Sequence, residues 1–129
     1  MSPGKKVFKR GEILIREGDL GDYAYIIESG SVEILIQREG KLIQLGTRSA
    51  GAIVGEMAMI DDRPRTATVR VIEDCQVMKI SRDNFSRRVE AADPLLQMVI
   101  RVIMTRYRDM IGRTQFIHPP ASLSIAEAV

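Results

Sequence analysis

Eight glycines fall between positions 11 and 55 (Gly11, Gly18, Gly21, Gly30, Gly40, Gly46, Gly51 and Gly55), and they cut that stretch into pieces too short for most helices. Glycine tolerates positive φ where other residues are strained, so each is a natural place for the chain to turn. The pieces between are rich in β-branched and aromatic residues. Tyr23-Ala24-Tyr25-Ile26-Ile27-Glu28 leads through a turn at Ser29-Gly30 into Val32-Glu33-Ile34-Leu35-Ile36-Gln37. Both have the length and composition of strands. Glu39-Gly40 then predicts a hairpin into Lys41 to Leu45. Turns this frequent suit a compact antiparallel roll or barrel, not a parallel α/β sheet, which needs crossover helices.

Beyond Gly55 the pattern changes. Glu56 to Ile60 has a helical start and Asp61-Asp62-Arg63-Pro64 is turn-prone; two further strands are expected at Ala67 to Val71 and Cys75 to Ile80. The C-terminal part is helical. Ser81 or Asp83 can cap a helix running to about Ala92, and Asp93-Pro94 restarts the chain with aspartate as cap and proline at the first helical position. From Leu95 to Ile111 the residues Gln97, Arg101, Thr105 and Arg108 form one polar stripe. The apolar arc around it is wider than one core contact requires, which leaves a surplus face for a second subunit or a ligand. Gly112 can end this helix. The expected division is a domain over 1–112 and a tail or linker over 113–129, where His118-Pro119-Pro120 reads as extended.

Composition narrows the function. At 129 residues, 45% hydrophobic and 28% charged, the chain supports one folded domain and is not a disordered tract. No apolar run reaches the ~18 residues of a membrane helix, and no secretory leader is evident, so a soluble, cytoplasmic protein is expected. A net charge of +2 calls for no direct nucleic-acid partner, and the residues after Gly112 are too few for a helix-turn-helix domain. Cys75 is the one cysteine and His118 the one histidine. They give no disulfide and no histidine-cluster metal site. Cys75 reads as a small buried apolar residue, Asp61-Asp62 as a solvated turn, Arg63 as solvent-facing and Asp22 as a turn-holding residue. Neither a nucleophile–base pair nor a P-loop is present, so no enzyme and no cofactor are expected.

The informative stretch runs from Gly55-Glu56-Met57-Ala58 to Arg65-Thr66-Ala67. A glycine before a short helix lets backbone approach a ligand, and the first amides of that helix favour an anion. Arg65, nine residues after Glu56, can return over the same pocket with a planar fork of donors suited to phosphate oxygens. Thr66 adds a hydroxyl. A phosphate would repel Glu56, whose carboxylate is better suited to accept hydrogen bonds from hydroxyls such as those of a ribose. Together these groups match a sugar phosphate with a free hydroxyl.

This segment closely resembles the phosphate-binding cassette of the cyclic nucleotide-binding domain. That domain occurs in cyclic AMP-dependent kinase regulatory subunits, nucleotide-gated channels and bacterial cyclic AMP-dependent regulators. The upstream run Gly18-Asp19-Leu20-Gly21-Asp22-Tyr23-Ala24-Tyr25-Ile26-Ile27-Glu28-Ser29-Gly30-Ser31-Val32 is similar to the family's second signature. The resemblance spans about Phe8 to Ile111. It implies a mainly β fold: an eight-stranded β-roll of jelly-roll type with flanking helices and a short cassette helix. It also implies that Gly55, Met57 and Ala58 offer backbone amides, that Glu56 accepts the ribose 2′-hydroxyl, and that Arg65 pairs the cyclic phosphate. Thr66 and Ala67 would complete the phosphate contacts. Thr66 is compatible with cyclic GMP, but many bacterial relatives with a hydroxyl here resemble cyclic AMP binders. Arg101 and Tyr107 are the candidates for covering the base. Val54 departs from the pattern, standing where relatives usually carry phenylalanine.

Two functional readings follow. The first is a non-enzymatic receptor module that binds a cyclic purine nucleotide, cyclic AMP favoured over cyclic GMP, and signals to an effector protein by moving its C-terminal helices. The alternative is a nucleotide-free roll that acts as a dimerisation or docking module, through a homodimer contact on the long helix sensitive to polar substitution at Ile103 or Tyr107.

Overall fold

The computed structural model describes residues 4–116. In chain order the strands are β1 (Lys5–Phe8), β2 (Ile13–Ile15), β3 (Tyr23–Arg38), β4 (Lys41–Ser49), β5 (Ile53–Val54) and β6 (Thr68–Ser81). A single 3₁₀ turn (Glu56–Met59) lies between β5 and β6, and two helices follow, α1 (Arg82–Glu90) and α2 (Pro94–Phe116). All strand pairings are antiparallel. The sheet runs β1-β6-β3-β4, with β2 also paired to β6 and β5 to β3.

The mainly β roll expected from the sequence is therefore present, with six strands among the described residues where eight were expected. The difference has a physical cause. β3 takes in both Tyr23–Glu28 and Val32–Gln37, and β6 likewise takes in two expected strands. Their shared ladder shifts register between Ile27 and Val32, so the pair bends sharply without breaking. Gly30 sits at that bend with φ +88°, and a Cβ there would lie 2.2 Å from the Asp74 carbonyl oxygen. Glycine thus serves a close crossing of two strands, not the chain reversal expected at Ser29-Gly30. The reversal at Glu39-Gly40 is a true hairpin, with φ +52° and +76°. The β4 strand that follows continues to Ser49, past the expected Leu45.

Inside the roll, Leu14, Ile15, Tyr25, Ile27, Val32, Ile34, Val54, Val69, Val71, Cys75 and Val77 form one buried cluster. Val54 is 1% exposed and pairs with Tyr25, so the smaller side chain at this position is fully used in the core. Cys75 is a buried free thiol, pushed up from its ordinary pKa by burial. A second cluster joins Ala24, Ala58 and Met59 to Ile80 and Phe85, which fastens α1 to the 3₁₀ turn.

Both helices start as their sequences predict. The Ser81 hydroxyl accepts the Asn84 amide at 3.1 Å, and the Asp93 carboxylate accepts the Leu95 amide at 2.8 Å. The first helix ends at Glu90, slightly before Ala92. The second does not stop at Gly112 but continues to Phe116. An interior glycine costs roughly 1 kcal/mol relative to alanine and does not by itself terminate a helix. His118 and the remaining tail lie outside the described residues.

Between Pro94 and Met110 of α2, a narrow strip is half-buried: Gln97, Ile100, Met104 and Tyr107. Leu95, Met98, Val99, Val102 and Ile103 are exposed, so the surplus apolar face expected from the sequence is real. Gln97 was expected on the polar stripe, yet its amide donates to the Glu90 and Ala92 carbonyls at 3.0 and 2.8 Å and ties α2 to the end of α1. Among the described residues no helix is long and apolar enough to cross a membrane, and no group of His, Cys, Asp and Glu is placed to hold a metal.

Candidate functional site

The cassette lies between β5 and β6. Gly55 opens it with φ +76°, a left-handed conformation that other residues rarely adopt. A Cβ at Gly55 would also lie 2.6 Å from Ile15 Cδ1 and 2.8 Å from Arg65 Nη1, so the ends of both side chains would have to shift to admit one. The helical turn that follows is shorter than expected. Its Ala58 amide donates to the Gly55 carbonyl at 3.1 Å, which takes one of the amides that sequence reasoning had offered to a ligand. Met57, Ala58 and Met59 are buried, as is Ala67, while Thr66 is half-buried beside Arg65.

Glu56 and Arg65 are brought to one place, as their spacing suggests. Arg65 Nη1 donates to the Gly55 carbonyl at 3.0 Å and Nη2 to the Tyr23 carbonyl. The guanidinium lies over the Tyr23 ring, with Cζ 4.8 Å from the centroid. Lys79 Nζ lies 4.2 Å from the same centroid. The Arg65 backbone is fixed as well: its amide donates to the Asp19 carbonyl and its carbonyl accepts the Gly18 amide, both at 2.8 Å.

Glu56 accepts a hydrogen bond from the Tyr107 hydroxyl on Oε1, whereas its Oε2 is buried with no hydrogen-bond partner among the described residues. Burial pushes the Glu56 carboxyl above its ordinary range; the Tyr107 hydrogen bond and the charges of Arg48 and Arg65 work against that rise. Burial likewise pushes the Tyr25 phenol up to about 12. A carboxylate oxygen without a donor, in a buried setting, is an acceptor prepared for a hydroxyl or an amide.

Of the two residues expected to cover a base, the structure brings Tyr107 to the cassette. Arg101 lies exposed in a shallow cleft with Val102, Thr105 and Arg106. Two participants were missed by sequence reasoning. Arg48 sits opposite the buried Val32 in the β4 ladder and is half-buried on that side, where its charge acts on Glu56. Arg82, the first residue of α1, donates to the Ala58 carbonyl, to the Asp61 carbonyl at 2.8 Å and to the Asp62 carboxylate, and so closes the far end of the cassette. Neither has a signal in the linear sequence, because only strand register and helix docking carry them there. Asp22, expected to hold a turn, instead extends the pairing of β3 with β6: its carbonyl accepts the Arg82 amide at 2.6 Å, one step beyond the Tyr23–Ser81 pair. Arg63, expected to face solvent, is half-buried and pairs with Asp61 at 3.1 Å.

A bent antiparallel roll with such a cassette between two of its strands and helices at its C-terminal side defines a class of regulatory ligand-binding domains. The chain belongs to the cyclic nucleotide-binding domain family, whose model matches residues 5–91. It is 37% identical over 90 residues to a cAMP-dependent protein kinase regulatory subunit of Emericella nidulans, a match covering 70% of this chain and 21% of that protein. The chain thus spans about a fifth of the length of that relative. Among solved structures, the halfsite-occupied form of the EAL enzyme Bd1971 superposes with a TM-score of 0.76 at 37% identity, covering 82% of this chain and 96% of that one. The cAMP-bound form of the same enzyme superposes at 0.64 with 35% identity, over 87% of this chain and 30% of that one.

Proposed function

We propose that this domain is a non-enzymatic receptor for a cyclic purine nucleotide, cyclic AMP in preference to cyclic GMP, and that α1 and α2 pass its occupancy to an effector. The observation that carries the reading is the bare, buried Oε2 of Glu56 beside a seated Arg65. A ribose 2′-hydroxyl supplies the donor that Oε2 lacks. Arg65 uses two N–H groups on carbonyls and keeps the rest of its fork for the phosphate. Gly55 allows close backbone approach, the Met57 amide and the Thr66 hydroxyl face the anion, and Ala67 closes the phosphate end. Ala58 contributes through burial against Met59 and Phe85. Cyclic AMP is favoured because the kinase relative is cAMP-dependent, although a neighbouring structure of Bd1971 is cGMP-bound.

Tyr107 supports the relay. It reaches Glu56 from α2, so the ligand and the helix meet at one carboxylate, and a ligand shifts the helix only by its differential affinity for the two positions. The test is calorimetric titration of both nucleotides into the wild-type protein and Arg65→Ala. Removal of a charge-assisted phosphate contact should weaken binding roughly ten- to hundredfold. No heat with either nucleotide, or unchanged affinity in the variant, overturns the reading.

One observation favours a second reading. The exposed apolar face of α2 suits a contact with a second copy of the chain. Such a dimer is compatible with nucleotide binding and does not require it.

A further inference from the structure

The first residues of the upstream signature, Gly18 to Tyr23, surround Arg65. The Asp19 carbonyl and the Gly18 amide hold the arginine backbone, the Tyr23 carbonyl accepts from Nη2, and the Tyr23 ring lies under the guanidinium. Gly21 completes the enclosure. A Cβ on Gly21 would lie 2.8 Å from Arg65 Nη2 and 3.1 Å from Tyr23 Cε1. The guanidinium is therefore confined between an aromatic face and two bare glycine backbones, with carbonyls from both sides fixing its rotation.

We infer that Gly21 and Tyr23 are positioning residues for nucleotide binding: they form a seat that aims the remaining N–H groups of Arg65 at the phosphate. The inference rests on the proposed reading of Arg65 as the phosphate ligand. Arginine side chains are long and lose rotamer freedom on binding, so a guanidinium held in place beforehand forfeits less on meeting its ligand. An aromatic face is well suited to this task, since it attracts the cation without consuming an N–H. Gly21 acts by the space it leaves. A methyl at that position meets the movable end of the Arg65 side chain, so the guanidinium gives way while the strands stay where they are.

The test combines two measurements on Tyr23→Leu, Tyr23→Phe and Gly21→Ala. In the ligand-free protein, the Arg65 Nε–H resonance reports its place over the ring by its ring-current shift. That shift should survive in Tyr23→Phe, vanish in Tyr23→Leu and change in Gly21→Ala. For binding, Tyr23→Leu should weaken cyclic AMP about three- to thirtyfold in an otherwise wild-type chain, and Tyr23→Phe should restore it. In an Arg65→Ala background the same Tyr23→Leu change should have no effect, because the residue acts only through the arginine. Equal losses in both backgrounds, or a wild-type resonance without ring-current shift, overturn the inference. A wild-type protein that shows the shift but binds neither nucleotide leaves the seat standing as a structural feature, and overturns both its proposed role in binding and the proposed function.

Discussion

Burying a carboxylate with one oxygen bonded and the other bare, as in Glu56, has a cost in the folded chain that the unfolded chain escapes. The raised pKa expresses that cost. Between the ordinary carboxylate value and the raised one, the folded state binds more protons than the unfolded state. Stability therefore falls as pH rises through that window and stays lowered above it. Glu56→Gln should raise the melting temperature at neutral pH, with the gain shrinking on acidification towards the ordinary carboxylate range, while nucleotide affinity drops. An unchanged melting curve across pH would remove Glu56 as a source of built-in instability. Glu56 and Arg65 were legible from the sequence because they stand nine residues apart in one short motif. Tyr23 was legible as part of a signature but not as the shelf beneath Arg65. The roles of Tyr23 and Arg48 depend on which way a strand residue points once its ladder has formed, and register is a tertiary property.

The strands and both helix starts were readable because their signals are local: glycine spacing, β-branched runs, and a serine or aspartate one step before a helix. The continuity of β3 and β6 was not readable. A bulged strand and a strand–turn–strand contain the same residues, and only the crossing at Gly30 decides between them. Docking of α1 was equally hidden. It depends on Phe85 against Met59 and on the Arg82 guanidinium reaching two carbonyls and a carboxylate. The Asp62 partner is exposed and contributes little, whereas the two carbonyls lose their donor if Arg82 is removed. Arg82→Ala should lower the unfolding free energy by about 1–3 kcal/mol in urea with an unchanged m-value, and should speed amide exchange around Met59 and Ile60. A variant as stable as wild type would mean that the apolar contact alone holds α1.

At the scale of the whole molecule, the exposed face of α2 is the largest departure from a self-contained domain. Ile103 is 60% exposed and Leu95 69%. Tyr107, expected from the sequence to share that face, is turned to Glu56 instead, so the two residues can be separated by experiment. Ile103→Lys should convert a dimer to a monomer in sedimentation velocity without changing nucleotide affinity; a wild-type chain that sediments as a monomer throughout the concentration range would rule out self-association through this face. The tether between Tyr107 and Glu56 also has a mechanical consequence. It closes a loop that runs from the 3₁₀ turn through Arg82 to α1, through Gln97 to α2, and back to the turn. At 1.5 Å per residue, Tyr107 lies about 20 Å and Phe116 about 33 Å from Pro94, the pivot of the proposed movement. A swing of roughly 3° moves Tyr107 by about 1 Å, enough to weaken its hydrogen bond, and carries the end of the helix further in proportion. In the proposed relay the helix would act as a lever whose latch sits part-way along the arm, so that a displacement of about 1 Å at the carboxylate would be larger at the end where a partner would feel it.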